Sequence, residues 1–191
     1  MQNIEDRLAA IEEKITDKSF LENKGLGNEV GYYIFDYSPK DELYVRNHIA
    51  YLKGKMSKSG LGIKIMEFDL YNIVMEGLKE RGYLQKCFDF EKSKGFDYTF
   101  EAIIKMLRLT GKSNLLVNHI VQNTTSNSVV FLTGVGKCFP FVRSHNVLNN
   151  LHQVLDSVPV VMFFPGEYSG QELRLFGTIK DDNYYRAFKL V

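Results

Sequence analysis

The sequence predicts an α/β fold in which helices cover both faces of a mostly parallel sheet. Four short segments, at 32–35, 63–68, 129–132 and 160–164, are predicted to be strands, and the apolar run at 129–132 suits a strand buried on both faces. A helical pattern of apolar residues follows each of the first three segments, so that strand and helix alternate along the chain. This alternation is typical of a three-layer, Rossmann-like sheet.

The stretch from 128 to 170 contains the clearest part of this pattern. A buried strand ends at the glycine pair Gly134 and Gly136, Pro140 precedes a helical pattern, and a second strand ends at Pro165-Gly166. Strand, helix and strand form a βαβ unit, whose crossover is right-handed and whose loops lie on one edge of the sheet. We therefore expect functional groups at that edge.

Length and composition are those of one globular domain. The 191 residues are 45% hydrophobic and 13% aromatic, and the formal net charge is +1. This balanced charge predicts weak or absent contact with DNA and no polybasic membrane patch. Cys87 and Cys138 lack metal-binding or redox spacing, which favours two free thiols in a reducing compartment. Without a leader-like start or an apolar run of membrane-spanning length, the sequence predicts a cytoplasmic protein.

Residues 1–24 are predicted to form an amphipathic helix that precedes a single α/β domain at 25–191. The apolar face of this helix is formed by Ile4, Leu8, Ile11 and Ile15. It either packs on its own domain, which we favour, or docks on another protein. Residues 83–123 are expected to form a helical insert, and the polar residues at 181–183 indicate a hairpin near the end of the sequence.

Polar residues mark where several helices begin. Ser38 followed by Pro39 predicts a helix that runs to about residue 56, and Asp69 is predicted to cap the next helix. Ser113 is expected to cap the last helix of the insert.

Two glycine segments invite a phosphate-binding interpretation that their spacing does not support. Gly111-Lys112-Ser113 matches the end of a Walker A loop, but Met106 stands where that loop has its first glycine. Gly134 and Gly136 match the start of a dinucleotide-binding loop, but Phe139 stands in place of the third glycine. A tight turn is the simpler interpretation of the second segment, while an anion at the following helix stays open.

Arg143 lies in the first turn of the helix predicted after this loop, where a positive charge opposes the helix dipole. We expect it to have a partner, either an internal carboxylate such as Asp36 or Glu167, or an anionic group of a ligand or another protein. The internal ion pair is favoured. Asp36, at the end of a predicted strand, either accepts hydrogen bonds in its turn, which we favour, or ligates a metal ion or phosphate-bound water.

The sequence contains no complete catalytic, metal-binding or cofactor-binding set. None of the four histidines has metal-binding spacing with a Cys, Asp or Glu: His48, His119, His145 and His152. Glu167 is a well-placed carboxylate, but acid–base catalysis normally needs a second group, which the sequence does not assign. The prediction is therefore a protein without cofactor or metal, and the absence of catalytic activity is favoured.

Five segments together resemble one family. They are IFDYSPKDELYVRNHIAYL near the beginning, FLTGVGKCFPFVRSHNVLNNL, FFPGEYSG and LRLFG in the second half, and DDNYYRAFKLV at the end. In this order they are similar to the BrxB family, a small component of the BREX (bacteriophage exclusion) defence systems of bacteria and archaea. The resemblance covers most of residues 30–191.

The resemblance implies a cytoplasmic protein that acts beside several larger ones. These are a PglZ-type protein with an alkaline-phosphatase fold, a PglX-type adenine-specific DNA methyltransferase and a large AAA ATPase. No catalytic residues are established for the family, so none can be transferred to this sequence.

Three functions follow as hypotheses. The favoured one is a non-catalytic assembly or adaptor component that binds the PglZ-type protein, with the methyltransferase and the ATPase as further candidate partners. The alternatives are a divergent nucleotide- or nucleic-acid-binding domain and an enzyme acting on phosphate esters. The candidate interaction residues are Asp36, Arg143, Glu167, Tyr168, Arg174, Tyr185 and Arg186. Further contact candidates are Phe139, Phe141 and Tyr184, and at least half of all these aromatic residues are expected to lie in the core.

Overall fold

The computed structural model describes residues 3–22, 31–109, 114–181 and 186–191, and the fold is given for these ranges. The strands are β1 (Tyr32–Tyr37), β2 (Lys64–Asp69), β3 (Ser128–Thr133), β4 (Val160–Tyr168), β5 (Leu173–Leu175), β6 (Ile179–Asp181) and β7 (Phe188–Lys189). The first helices are α1 (Ile4–Thr16), α2 (Lys18–Leu21), α3 (Glu42–Lys58), α4 (Leu70–Glu80) and α5 (Leu84–Lys94). The later helices are α6 (Phe96–Leu107), α7 (Leu115–Asn123), α8 (Val135–Cys138) and α9 (Ser144–Leu151).

The strands form one sheet in the order β2-β3-β4-β1-β7, and every neighbouring pair in this series is parallel. The end of β4 continues past β1 and pairs antiparallel with β5, which pairs in turn with β6. The prediction of a mostly parallel α/β sheet is confirmed. The strand with a continuous apolar sequence is covered on both faces: all six residues of β3 are buried.

Two separate hydrophobic clusters cover the two faces of the sheet. One contains residues of α4, α6, α7 and α9, and the other contains residues of α1 and α3. The chain therefore leaves β1 toward one face, through α3, and leaves β3 toward the other, through α8 and α9. In doubly wound sheets this divergence opens a crevice at the carboxyl ends of the strands.

The helical insert contains α5, α6 and α7, as the sequence predicts. The cap of α7 is Asn114, whose side chain accepts hydrogen bonds from the backbone N–H groups of Leu116 and Val117. The predicted cap Ser113 lies outside the described residues, together with the rest of Gly111-Lys112-Ser113. Asp69 does cap α4, since its Oδ1 accepts a hydrogen bond from the Asn72 N–H.

The predicted start of α3 is confirmed only in part. Ser38 precedes a single 3-10 turn (Pro39–Asp41) and its side chain makes no capping hydrogen bond, so the α-helix begins at Glu42. Proline is suited to the first position of that turn because it has no N–H to leave unpaired.

The hairpin predicted around 181–183 lies mostly outside the described residues, but the described strands beside it have other partners. The strands on either side of this segment do not pair with each other, because β6 pairs with β5 and β7 lies parallel to β1 at the sheet edge. The hairpin connects β5 and β6 instead, and its turn contains Phe176 and Gly177, both with positive φ. Positive φ at successive turn residues matches the right-handed twist of paired strands.

The N-terminal helix α1 packs on the same chain. Leu8, Ile11 and Ile15 are buried in the cluster that also contains Ile49 and Leu52 of α3. This matches the favoured interpretation of the apolar face, whereas the division into residues 1–24 and a domain at 25–191 stays a prediction. In the described ranges, no helix combines the length and the apolarity that a membrane crossing requires.

His48 of α3 faces α1, and its Nε2 is buried without a hydrogen-bond partner. Burial lowers the pKa of His48 below its ordinary value, while a hydrogen bond with the backbone of Leu8 acts in the opposite direction. The folded state therefore favours the neutral ring. Its stabilising effect is complete above the ordinary pKa of 6.5 and is lost as pH falls through the lower folded value.

We expect the free energy of unfolding to decrease between about pH 7 and about pH 5, and His48→Gln to make this decrease shallower. Urea unfolding at a series of pH values measures the slope. His119→Gln, a change of the same type on α7, is the matched control. An unchanged slope in the His48 variant would show that other groups cause the pH dependence.

Gly166 lies where β4 turns toward β5, and it tolerates no side chain. A Cβ at this position would lie 2.1 Å from the backbone oxygen of Arg174 and 2.8 Å from the ring of Phe164. Gly54, in the exposed interior of α3, has no atom within 4 Å of the corresponding point. The two glycines therefore differ in what they contribute to the fold.

Gly166→Ala should lower the free energy of unfolding by about 1–3 kcal/mol or more, because backbone must move to make room. Gly54→Ala should raise it by roughly 0.5–1 kcal/mol, because alanine loses less entropy on entering a helix. Thermal and urea unfolding of both variants test this pair. Equal effects would contradict the close approach of β4 and β5.

Candidate functional site at the carboxyl edge of the sheet

A cleft of about 280 Å³ opens where the carboxyl ends of β1, β3 and β4 meet. This is the crevice that the doubly wound topology produces. One wall follows β1, a second follows β3, and the turn after β5 closes the third side. The lining residues are Tyr37, Pro39, Glu42, Arg46, Gly134, Val135, Gly136, Lys137, Pro165 and Phe176.

The glycine loop after β3 makes room for a carboxylate of the protein itself. Gly134 has a φ of +73°, and a Cβ there would lie 2.4 Å from Oδ1 of Asp69. The other oxygen of Asp69 forms an ion pair with Lys137. The α-helix that follows has only four residues. The carboxylate of Asp69 therefore fills the space beside Gly134 and neutralises the lysine of the loop, which agrees with the tight-turn interpretation.

The other polar groups of the cleft also pair with one another. The Tyr37 hydroxyl donates to Oε2 of Glu42, and Oε1 of Glu42 lies 2.7 Å from Nε of Arg46. Burial raises the pKa of Tyr37, and the bond to Glu42 acts in the same direction. The phenol is therefore held protonated as a donor, and it is no candidate for a general base.

Asp36 lies at the end of β1, beside the cleft, and connects four elements. Its Oδ1 is 2.8 Å from the guanidinium of Arg7 on α1. Its Oδ2 accepts the backbone N–H of Tyr168 at 3.1 Å and the ammonium of Lys189 on β7 at 3.1 Å. The carboxylate is 11% exposed. The role is structural, but the prediction of hydrogen bonds within its own turn is wrong, because the donors that Asp36 accepts from are Arg7, Tyr168 and Lys189, all far from it in sequence.

The predicted ion pair of Arg143 is absent. In the part of the chain that the structure describes, Arg143 forms no ion pair with Asp36, Glu167 or any other carboxylate. Asp36 is already occupied by two cations and a backbone N–H. Glu167 is exposed on β4 opposite Arg174, at the antiparallel pairing with β5. Arg143 is exposed at the start of α9.

Tyr168, proposed from sequence as an interaction residue, is a core residue with 3% exposure. Its hydroxyl donates toward the carbonyl of Ala187 at 2.7 Å. Arg174 and Arg186 are exposed, and the backbone carbonyl of Arg186 lies 2.7 Å from the ring of His152. Tyr185 lies outside the described residues, as does Tyr184. Phe139 and Phe141 are half-buried against the core.

The described residues contain neither a metal-binding cluster nor an activated thiol. Within the described ranges, no three His, Cys, Asp or Glu side chains come together as a metal site. Burial raises the pKa of the Cys138 thiol to about 12 and also raises that of Cys87, so neither is activated as a nucleophile.

A second surface, which the sequence did not identify, lies on the helical insert. Helix α5 buries none of its residues and packs mainly on α6. Three large aromatic side chains on these helices are about half exposed: Phe88 (56%), Phe96 (55%) and Tyr98 (45%). The insert also has an apolar groove of about 270 Å³, formed by Leu78 and Tyr83 together with residues of α5 and α6. Tyr98 adjoins this groove through Phe90, a residue of its lining, with ring centroids 5.2 Å apart. We call Phe88, Phe96, Tyr98 and this groove the insert face.

Comparison with known proteins gives the family. A family model described as "BREX protein BrxB" matches residues 66–190. The chain belongs to the BrxB family. It is 56% identical over 191 residues to "BREX protein BrxB" of Bacillus cereus (strain H3081.97), covering 100% of this chain and 99% of the relative. It is 33% identical over 188 residues to "BREX protein BrxB" of Escherichia coli O9:H4 (strain HS), covering 98% of this chain and 92% of the relative. No solved structure matches the chain.

The resemblance seen in the sequence motifs is thus confirmed. The family match begins in β2 and extends over the glycine loop, α9 and the β4–β5 hairpin region. Both relatives also align with α1 and β1, which supply Arg7 and Asp36.

Asp36→Asn should lower the free energy of unfolding by about 3 kcal/mol, because Arg7 loses the carboxylate that offsets its desolvation. This expected loss is at the lower end of what removal of one partner from a buried ion pair costs, because Lys189, the second cation, is half exposed. Urea unfolding measures the change.

Glu12→Gln is the matched control for this variant. It removes the carboxylate of the Lys55–Glu12 pair, whose side chains are 44% and 30% exposed. We expect it to change the free energy of unfolding by no more than about 1 kcal/mol. Comparable losses in the two variants would contradict the central position of Asp36.

Proposed function

We propose that the chain is a non-catalytic assembly component of a BREX defence system, and that it binds the PglZ-type protein of the same system. Membership of the BrxB family supports the connection with BREX. The paired polar groups of the sheet-edge cleft support a role through contact rather than chemistry. We propose a cytoplasmic location on the basis of the family resemblance.

The insert face is the observation that carries this proposal. Exposed aromatic side chains and an apolar groove on one helical insert are typical of protein–protein contact sites, since aromatic residues are enriched at the centres of interfaces. Phe88 and Phe96 each expose more than half of their surface. Burying them against a partner would remove apolar area from water at roughly 25 cal/mol per Å².

Lysines at the rim indicate the charge of the partner surface. Lys86 lies over the ring of Tyr83 at 5.1 Å, and Lys94 lies over the rings of Tyr98 and Phe90 at 4.1 and 5.2 Å. Neither lysine forms an ion pair with another residue of the described ranges. A partner surface that is apolar at its centre and acidic at its edge would complement this arrangement.

The alternative functions receive less support. A nucleotide- or nucleic-acid-binding role would need an open phosphate site or a basic surface, whereas Asp69 and Glu42 hold the cations Lys137 and Arg46 in the cleft. The formal net charge of +1 gives little attraction to nucleic acid. An enzyme acting on phosphate esters would need metal ligands or a nucleophile that the described residues do not bring together. The methyltransferase and the ATPase remain further candidate partners.

Co-expression with the PglZ-type protein, followed by size-exclusion chromatography at physiological salt, should give co-elution. The double variant Phe88→Ala, Phe96→Ala should elute separately with an unchanged melting temperature, because both side chains are exposed. Leu43→Ala, a change at a 69% exposed residue of α3, is the matched control and should co-elute.

Separate elution of the unmodified chain at micromolar concentration would overturn the choice of partner. Co-elution of the double variant would leave the partner in place and reject the insert face. Co-elution with the methyltransferase or the ATPase instead would reassign the partner.

A further inference from the structure

A second, smaller pocket opens at the start of α9, on the side of the β5–β6 hairpin. Its volume is about 90 Å³. The floor is apolar and contains Phe139, Phe164, Leu173 and Leu175, while the rim is polar and contains Arg143, Ser144 and Lys180. The pocket shares Val135 with the sheet-edge cleft but is otherwise separate from it.

Ser144 is the first residue of α9 and is 8% exposed. Its side chain lines the pocket and forms no hydrogen bond with any residue in the described ranges. The hydroxyl oxygen is not fully enclosed, so it can reach a group in the pocket. This hydroxyl is therefore available to a ligand in the pocket.

The start of α9 supplies further donors. Arg143 holds the cap position in an extended conformation, and its side chain makes no capping hydrogen bond. The first N–H groups of a helix carry its positive dipole end; that of Asn146 already bonds to the carbonyl of Arg143 at 3.1 Å, and that of Ser144 lies beside the pocket. An anion seated beside Ser144 would therefore meet both the hydroxyl and the start of the helix.

The charged side chains at the rim of the pocket also favour an anionic ligand. Arg143 is exposed and has no carboxylate partner among the described residues, although a cation at a helix start opposes the dipole. An anion bound between the guanidinium and the helix would reverse this unfavourable arrangement. Lys180, the other cation of the rim, is 3.2 Å from Glu172, so Arg143 is the principal positive group for a ligand.

The size of the pocket restricts the ligand. A volume of 90 Å³ has room for roughly six to nine water-sized groups, if each needs about 10–15 Å³. That is enough for a carboxylate and a small branched aliphatic group. It is well below the roughly 300–1,000 Å³ of pockets that hold cofactor-sized ligands.

We propose that this pocket binds a carboxylate attached to a small apolar group. The carboxylate lies against Arg143, the Ser144 hydroxyl and the start of α9, and the apolar group lies on Phe164, Leu173 and Leu175. The carboxyl terminus of a peptide that ends in an aliphatic residue has this chemistry, as does a short branched carboxylic acid. Capture of a terminal carboxylate by backbone N–H groups is a known mode of peptide recognition.

Titration of the full chain with N-acetyl-L-leucine, followed by NMR of the backbone amides, tests the proposal. We expect saturable shifts centred on residues 143–146. N-acetyl-L-leucinamide, which has the same shape without the charge, should bind roughly tenfold more weakly or worse, because a charged hydrogen bond is lost.

Arg143→Ala and Ser144→Ala should each weaken binding of N-acetyl-L-leucine. Arg143→Ala should also melt at the same temperature as the unmodified chain or higher, because it removes a cation from a helix start. Arg81→Ala, which removes the same charge from an exposed position after α4, is the matched control and should bind normally.

Isovalerate and a hexapeptide ending in leucine distinguish the two sources of the ligand. Tighter binding of the peptide assigns the pocket to a protein terminus, and equal or tighter binding of isovalerate assigns it to a free acid; either result supports the site. Equal binding of the acid and the amide, tighter binding of inorganic phosphate, or no shift at about 10 mM ligand would overturn it. These titrations need no other protein, so their failure leaves the proposed contact with a PglZ-type protein untouched.

Discussion

The carboxylate of Asp36 is the interaction on which the arrangement of the sheet edge depends. It lies at the end of β1, in register with Phe164 of β4, just before β4 leaves its neighbour to pair with β5. By accepting the N–H of Tyr168, it satisfies the backbone at the point where the parallel pairing ends. By pairing with Arg7 and Lys189, it attaches α1 and β7 to the same strand. One side chain thus links elements from the two ends of the sequence, more than 150 residues apart in the Asp36–Lys189 pair.

The layered architecture could be predicted from the sequence because it depends on local patterns. Residues 129–132 are apolar at every position, which only a strand buried on both faces requires, and Asp69 stands directly before a helical pattern. The partners of charged groups could not be predicted in the same way. The shared sheet edge predicts Asp36 or Glu167 as the partner of Arg143. Asp36 is instead bound by Arg7, whose position depends on how α1 packs, and Glu167 lies opposite Arg174. The helical pattern predicts which face of α1 is apolar, but it does not predict which surface of the domain that face packs against.

The β5–β6 hairpin and the insert face show that turns and exposed surfaces also depend on tertiary packing, which local sequence patterns do not give. Asp-Asp-Asn at 181–183 has turn composition, yet the turn that connects paired strands contains Phe176, a residue that rarely adopts positive φ. The N–H of Phe176 bonds to the carbonyl of Pro165, so tertiary contact stabilises a conformation that local propensity disfavours. Likewise, the sequence predicts helices in the insert but not which of their side chains are exposed, and Phe88 of α5 is 56% exposed. Exposure is a property of packing and cannot be read from composition.

The sheet-edge crevice explains why a nucleotide-type topology need not bind a nucleotide. In this family member the positions around the crevice hold Asp69 against the glycine loop and Glu42 against Arg46 and Tyr37, so that the cations there are neutralised internally. An incoming phosphate would have to displace these carboxylates and meet their charge. Apolar area is exposed on the insert face instead. The hydroxyl of Ser144 and the guanidinium of Arg143 lie at the start of α9. The described part of the chain thus places its paired acids around the crevice and its exposed apolar and cationic groups at the periphery of the fold.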